Sequence, residues 1–114
     1  MTNETARSSP AIVLAPNGLP ESTKLLFPEY EFKQMEPEAY ASVIMERILE
    51  RGSVAEVRWL LDRYGVRRLA TWLRRYGYRA LSPRPFEYWR WVLGIKRFRR
   101  PPWDRGRKIK ESWQ

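Results

Sequence analysis

The sequence SVAEVRWLLDRYG at residues 53–65 carries a complete set of signals for one amphipathic helix. Ser53 and Glu56 match a capping box, in which each side chain accepts a hydrogen bond from the backbone N–H of the other. Gly65 follows the last apolar position and marks the end of the helix. The apolar positions between these signals have the spacing of a single helix face: Val57, Leu60, Leu61 and Tyr64. Such a face must be buried, so the segment predicts a helix packed inside an α-helical domain.

Three further helices with similar start and stop signals are predicted on either side of this one. They occupy residues 37–51, 66–77 and 82–94. The first and the last of them start with a proline signal, Pro37 and Ser82-Pro83. Proline suits a first helical turn, because it has no N–H to leave unpaired there. Each segment ends at or before a glycine: Gly52, Gly77 and Gly94. Gly52 can take a left-handed turn at the end of its helix. The chain is therefore predicted to be all-α, a small bundle of four to five short helices.

By composition the chain divides into three parts. Residues 1–23 hold three prolines without a sustained period and are expected to form a flexible leader. Residues 24–95 contain the predicted helices and make up the helical domain. Residues 96–114 (KRFRRPPWDRGRKIKESWQ) form a basic arm in which Pro101-Pro102 breaks any helix. The domain is so small that a partner or self-association would add useful buried surface, and the sequence leaves both open.

The amino-acid composition removes most enzyme chemistries. The 114 residues include no cysteine and no histidine, which excludes thiol nucleophiles, thiolate metal sites and the commonest general base. The glutamates show no metal-ligand spacing, and there is no glycine-rich phosphate loop. We therefore expect a non-enzymatic protein with no catalytic, cofactor-binding or metal-binding residue. No segment has the roughly 20 apolar residues of a membrane span, and no signal peptide is evident, so a cytoplasmic location without membrane contact is expected.

Charge is distributed unevenly along the chain, whose formal net charge is +9. Residues 1–57 carry five basic and nine acidic side chains, a net charge of −4. Residues 58–114 carry 17 basic and four acidic side chains, a net charge of +13. A basic half of this size favours a polyanion or an acidic protein surface as partner. Two alternatives stay open, a solvated basic face and neutralisation by the acidic half of the same molecule.

Arginines are concentrated in the third predicted helix. Arg67 and Arg74 are seven positions apart, as are Arg68 and Arg75, so a regular α-helix would place all four opposite its buried face. The helix has no Asn or Gln, which favours contact with phosphates over reading of base edges. The alternative is the polar side of an ordinary amphipathic helix. The predicted nucleic-acid contacts are Arg67, Arg68, Arg74, Arg75, Arg79, Arg90, Arg105, Arg107, Lys108 and Lys110.

Aromatic residues in and after the fourth helix indicate a protein contact. Trp89 fits the buried face of this helix, whereas Tyr88 and Trp91 project elsewhere, as the residues of a contact surface do. For Trp89, packing in the core is the alternative. Together with neighbouring cations, the predicted partner contacts are Arg84, Tyr88, Trp89, Trp91, Lys96, Arg97, Phe98, Arg99, Arg100 and Trp103.

Several short motifs resemble a small bacterial family of helical proteins: KLLF at residues 24–27, ILERG at 48–52, VRWL at 57–60, YG at 64–65, LSPR at 81–84 with Trp89, and LGI at 93–95. The resemblance covers residues 24–95. Members of that family have no established activity of their own and are often encoded beside abortive-infection-type nucleotidyltransferase toxins. The resemblance implies an antitoxin-like role, with a nucleotidyltransferase-like toxin as the protein partner.

We therefore expect a non-enzymatic, antitoxin-like protein that docks on a nucleotidyltransferase-type toxin and neutralises it. The alternative is a DNA- or RNA-binding module that uses the arginine-rich helix and the basic arm, with repression of its own operon as one use. A steep dependence of affinity on salt would favour the alternative, because phosphate contacts release counterions.

Overall fold

The computed structural model describes residues 12–100, and the prediction of an all-α fold is confirmed. Within these residues there is no strand, and the α-helices are α1 (Ala41–Arg51), α2 (Val54–Tyr64), α3 (Val66–Trp72), α4 (Tyr78–Ala80) and α5 (Pro83–Val92). Two 3₁₀-helices precede α1, and a π-helical turn joins α3 to α4: Glu21–Leu26, Phe32–Gln34 and Leu73–Gly77. The chain forms two compact units, which meet in sequence between Gly65 and Val66.

The first unit is built around α1. One face of α1 is buried, as its apolar spacing predicts: Ala41, Ile44, Met45, Ile48 and Leu49. This helix contacts both α2 and the 3₁₀-helix Glu21–Leu26. Phe27 and Met35 from the loops, and Leu60 from α2, are buried in the same unit. Because α1 has neighbours on two sides, its wide apolar stripe is covered almost completely.

Helix α1 begins at Ala41, so the predicted start at Pro37 was wrong. The Pro37 carbonyl accepts a hydrogen bond from the Tyr64 hydroxyl, at 2.6 Å. The Ala41 N–H, which would bond to Pro37 in a regular helix, donates to the Glu38 carbonyl at 3.3 Å. Residues 37–40 are therefore turns. A tertiary contact from α2 overrides the local preference of proline for a first helical turn.

The glycines on either side of α2 behave differently. Gly65 has φ 90°, and its N–H donates to the Leu61 carbonyl, so it ends α2 as predicted. Gly52 was predicted to turn left-handed, but it has φ −73°. A Cβ on Gly52 would lie 2.7 Å from the Ile48 carbonyl oxygen, which is closer than side chains allow. This position needs glycine because the backbone approaches closely, and not because of a positive φ.

Glu56 ties the N-terminus of α2 to the beginning of the described chain. The predicted capping box is present: the Ser53 N–H donates to Glu56 Oε1 at 2.8 Å, and the Glu56 N–H donates to Ser53 Oγ at 3.2 Å. The second carboxylate oxygen accepts a hydrogen bond from the Ser22 hydroxyl. Only 6% of Glu56 is exposed. In the stretch assigned to the leader, Leu19 and Thr23 are fully buried, so residues up to 23 contribute to this unit.

Arg47 connects α1 with the loop after the first 3₁₀-helix. Its Nη1 donates to the Leu26 carbonyl at 2.7 Å, and its guanidinium pairs with both carboxylate oxygens of Glu29. The same guanidinium lies 5.8 Å from the Phe27 ring centroid and 5.9 Å from that of Tyr30. The hydrogen bond from Arg47 holds the pKa of the Glu29 carboxyl below its ordinary value. One arginine therefore fixes a loop that has little regular structure of its own.

In the second unit, α3, the π turn and α4 form one continuous helix. Trp72, Gly77 and Tyr78 all have right-handed helical backbone angles at the junctions. The prediction that Gly77 ends this helix was therefore wrong. A Cβ on Gly77 would lie 2.7 Å from Leu73 Cδ1 and 3.1 Å from Phe86 Cδ1. Glycine is favoured here because the side chains of Leu73 in the π turn and Phe86 in α5 both lie against it.

Helix α5 ends in a Schellman motif around Gly94. The Gly94 N–H donates to the Trp91 carbonyl at 3.2 Å, and the Ile95 N–H donates to the Arg90 carbonyl at 2.8 Å. Gly94 has φ 68°, the left-handed conformation that this motif requires, so the predicted end of the helix is confirmed. The motif reverses the chain direction and sends the buried Ile95 back toward the unit.

Replacement of Glu56 by alanine should lower the free energy of unfolding by about 1–3 kcal/mol, because it removes the cap and leaves the Ser22 hydroxyl without its acceptor. Urea unfolding followed by circular dichroism measures this loss. Glu36→Ala, which removes an exposed carboxylate outside the helix cap, is the control and should change the free energy by less than about 0.5 kcal/mol. Equal losses for the two variants would contradict the assigned role of Glu56.

Replacement of Glu29 by glutamine should destabilise the protein in a pH-dependent way. The pKa of Glu29 is lower in the folded protein than its ordinary value of 4.5, so its stabilisation is fully present above that value. This stabilisation is lost as the pH falls through the lower, folded-state pKa. The difference in melting temperature between wild type and Glu29→Gln should therefore be constant near neutral pH and shrink below pH 4.5. A difference that stays constant to low pH would contradict the ion pair, and Glu31→Gln serves as the control.

Candidate functional site

The second unit has a strongly one-sided charge. Residues 66–100 contain eleven Lys and Arg residues and a single acidic residue, Glu87, a net charge of 11 − 1 = +10. The Glu87 carboxylate is engaged, because both of its oxygens accept hydrogen bonds from Arg90 Nε at 3.2 Å. Residues 66–100 contain no second carboxylate side chain. A surface of this kind attracts anions strongly.

An exposed apolar face lies on α5. Trp91 is 77% exposed, Tyr88 55% and Val92 44%. Trp91 and Val92 follow Tyr88 by three and four positions, so both lie beside it on the helix surface. Arg84 precedes Tyr88 by four positions and extends the same row by one turn. We call Tyr88, Trp91 and Val92 the α5 apolar face. Phe86, which is 1% exposed, lies on the side that packs against the π turn.

The structure separates the aromatic residues that were predicted to contact a partner. Tyr88 and Trp91 are exposed, as a contact surface requires. Trp89 is half-buried, and its ring meets that of Tyr88 edge to face at 4.9 Å between centroids. Phe98 is also half-buried. Two of these four aromatic side chains are thus partly covered by the unit itself.

Phe98 belongs to an aromatic cluster with Tyr78 and Phe86. Its ring stacks on that of Tyr78 at 5.6 Å and meets that of Phe86 edge to face at 4.9 Å. Two guanidinium groups lie over the same ring, that of Arg90 at 5.0 Å and that of Arg100 at 5.2 Å. Such cation–π contacts add to the burial of the ring. Phe98 therefore anchors residues 95–100, which we call the return segment.

The Arg90 side chain is held in place by contacts within the second unit. Besides the pair with Glu87 and the contact with Phe98, its Nη1 donates to the Ile95 carbonyl at 3.0 Å. The three contacts hold the start of the return segment against α5. The spacing of Glu87 and Arg90 was visible in the sequence as an i, i+3 pair, but the contacts with Ile95 and Phe98 depend on the chain reversal at Gly94.

The π turn has a direct consequence for the return segment. The wider turn inserts one residue into the helix and leaves one carbonyl without an N–H of the helix to bond. The Arg74 carbonyl, inside this turn, accepts a hydrogen bond from the Arg99 N–H at 2.8 Å. The return segment therefore runs beside the π turn, and Arg74 and Arg99 become neighbours. No signal in the sequence indicated this contact.

The predicted arginine face is exposed, but it is not a regular one. Arg67 and Arg68 are exposed in α3, and Arg74 and Arg75 are exposed in the π turn. The seven-residue spacing assumed an uninterrupted α-helix, so it does not describe the relation between the two pairs. The remaining predicted cations within the described residues are exposed as well, at Arg79, Arg84, Lys96, Arg97, Arg99 and Arg100. The residues predicted beyond these lie outside the described part of the chain: Trp103, Arg105, Arg107, Lys108 and Lys110.

The first unit contains an open pocket of about 280 Å³ that the sequence did not predict. Lys24, Tyr30 and Lys33 are among its lining residues, together with Phe27 and Phe32.

Among residues 12–100, no three acidic, histidine or cysteine side chains converge in a way that could hold a metal ion. No helix within the same residues is long and apolar enough to span a membrane.

Comparison with protein families gives a match to part of the chain. Residues 23–73 match the model of a family described as a family of unknown function, DUF6922. The matched segment includes α1, α2 and α3, and it ends before α5 and the return segment. No curated protein and no solved structure is significantly similar to the chain. The relation to nucleotidyltransferase toxins therefore stays a prediction.

Hydrogen exchange of the Arg99 amide should show whether the return segment is docked. We expect this amide to exchange at least about tenfold more slowly than that of Arg97, since a stable hydrogen bond protects an amide from solvent. Phe98→Ala should abolish the difference, because it removes the ring that anchors the segment. Two-dimensional NMR exchange spectra of the full chain measure both rates. Equal exchange of the two amides in the wild type would contradict docking.

Proposed function

We propose that this chain is a non-enzymatic binding protein whose second unit docks on an acidic surface of a protein partner and holds that partner inactive. The observation that carries the proposal is the 77% exposure of Trp91 on the α5 apolar face. A large aromatic side chain that is left in water costs free energy, and such residues are the commonest centres of protein–protein contacts. The resemblance of the short sequence motifs suggests a nucleotidyltransferase-type enzyme as the partner.

The composition of the surface supports a protein partner with an apolar pocket and an acidic rim. Trp91, Tyr88 and Val92 supply the apolar centre, and Arg84 supplies a charge at its edge. Tryptophan, tyrosine and arginine are the residues that contribute most to binding energy at interfaces. Interface cations speed up association with an acidic surface and fix the orientation of the complex. Inhibition would then follow from occlusion, with the basic second unit lying across an acidic active site and excluding its substrate.

A second candidate function is the binding of nucleic acid, which the charge of the second unit favours. Eleven basic residues and one engaged carboxylate in residues 66–100 are the electrostatic pattern of a phosphate-binding surface. Both functions use the same unit, and they differ in what the partner supplies. A protein partner needs the α5 apolar face, whereas a nucleic acid needs the arginines of the π turn and return segment.

Replacement of Trp91 by alanine should abolish capture of the protein partner without unfolding the chain. The tagged full chain is incubated with nuclease-treated lysate of its own host, and retained proteins are identified by mass spectrometry. We expect wild type to retain a nucleotidyltransferase and to inhibit its nucleotide transfer. Trp91→Ala should weaken inhibition by a factor of about 30 or more, because truncation of a central tryptophan costs at least about 2 kcal/mol.

Leu25→Ala is the matched control, because Leu25 is 85% exposed but lies in the first unit. This variant should retain and inhibit the enzyme like wild type. Retention of no nucleotidyltransferase by wild type would contradict the partner class. Equal inhibition by Trp91→Ala and wild type would contradict the role of the α5 apolar face.

A further inference from the structure

We propose that the π turn and the return segment together form one binding site for single-stranded nucleic acid. The site consists of Arg74, Arg75 and Tyr76 from the π turn and Arg97 and Arg99 from the return segment, and we call it the π-turn site. The inference rests on the nucleic-acid candidate described above and deepens it. It specifies which cations act together, what brings them together, and which form of nucleic acid they fit.

The first step is the juxtaposition of two groups that are distant in sequence. The hydrogen bond from the Arg99 N–H to the Arg74 carbonyl, 2.8 Å long, places the two backbones in direct contact. Phe98, between Arg97 and Arg99, turns its ring inward onto Tyr78 and Phe86, while its two neighbours are exposed. The anchor therefore directs both of these arginines to solvent beside the π turn.

The second step is the excess of positive charge among residues 66–100. Glu87 is the one carboxylate among residues 66–100, and its side chain is bonded to Arg90. Four guanidinium groups on adjoining backbone segments repel one another unless an anion lies between them. Arginine binds phosphate through two parallel N–H donors, so a row of arginines fits a row of phosphates. The charge of the π-turn site therefore favours a phosphodiester backbone.

The third step concerns the bases. Tyr76 is 49% exposed in the same π turn, with the Arg75 guanidinium 5.8 Å from its ring centroid. An accessible aromatic ring beside a row of cations is the arrangement that proteins use to stack unpaired bases. Residues 66–100 contain no Asn or Gln, the side chains that read adenine edges. The site is therefore suited to single strands and to binding with little sequence preference.

The affinity of the full chain for a fluorescein-labelled thymidine oligonucleotide of about 20 nucleotides tests the inference by fluorescence anisotropy. We expect wild type to bind, with an affinity that falls linearly in a log–log plot against salt. Phe98→Ala keeps every charge but releases the return segment, so the dissociation constant should rise about tenfold. The salt slope should fall by about 0.7 for each phosphate contact that is lost. Tyr76→Ala should weaken binding at least about fivefold, because a stacking partner is removed.

Two variants of Arg99 separate the charge from the backbone contact. Arg99→Ala and Arg99→Pro lose the same charge, but proline also lacks the N–H that bonds to Arg74. We expect Arg99→Pro to bind about fivefold more weakly than Arg99→Ala. Arg58→Ala removes an exposed cation of the first unit and should change the affinity less than about twofold. Circular dichroism shows whether Phe98→Ala folds. If it does not, the comparison of Arg99→Pro with Arg99→Ala is the test.

The outcomes distinguish the inference from the function on which it rests. No binding by wild type would overturn the nucleic-acid candidate and the π-turn site together. Binding by wild type with equal affinities for Arg99→Pro and Arg99→Ala would overturn the composite site alone. Duplex DNA of the same length is the competitor, and its displacement of the oligonucleotide at equal or lower concentration would overturn the assignment to single strands.

Discussion

The position of the return segment depends on one backbone hydrogen bond, from the Arg99 N–H to the Arg74 carbonyl inside the π turn. The Schellman motif at Gly94 sends the chain back to reach this carbonyl. The bond and the Phe98 ring hold the return segment against the helix. Without them, Ile95 would still be held by its burial and by Arg90, but the arginines of the return segment would no longer be fixed beside the π turn. With them, these arginines join those of the π turn in one surface.

The charged residues have different roles in the two units. In the first unit, Arg47 and Glu56 are structural, because each hydrogen-bonds to more than one group and joins its helix to the segment that precedes α1. Buried polar groups must be bonded in this way, or they cost stability. Among residues 66–100 of the second unit, a single acidic residue accompanies eleven basic ones, and most of these cations are exposed. A surplus of this kind does not stabilise a fold, and the two proposed functions both assign it to an anionic partner.

Local signals in the sequence were sufficient wherever local interactions decide the structure. The capping box of Ser53 and Glu56, the buried face of α1 and the end of α2 at Gly65 follow from neighbouring residues alone. The predictions failed where the course of the backbone depends on packing that the local signals do not show. Pro37 does not start α1, and its carbonyl accepts the Tyr64 hydroxyl from α2. Gly77 does not end a helix, and it lies against Leu73 and Phe86. The same limit applies to the site: exposure of Trp91 followed from helical spacing, whereas the pairing of Arg74 with Arg99 did not.

If the π turn and the return segment act as one site, Arg74 and Arg99 are coupled in binding, and a double-mutant cycle between them measures this coupling. The dissociation constant for a single-stranded oligonucleotide is measured for wild type, Arg74→Ala, Arg99→Ala and the double variant. Residues that share a bound phosphate are coupled, so the double variant should deviate from the product of the single effects by more than about twofold, equivalent to about 0.5 kcal/mol. The pair Arg58→Ala and Arg99→Ala should show no such deviation. Independent effects of Arg74 and Arg99, with the double variant equal to the product of the single ones, would contradict the account.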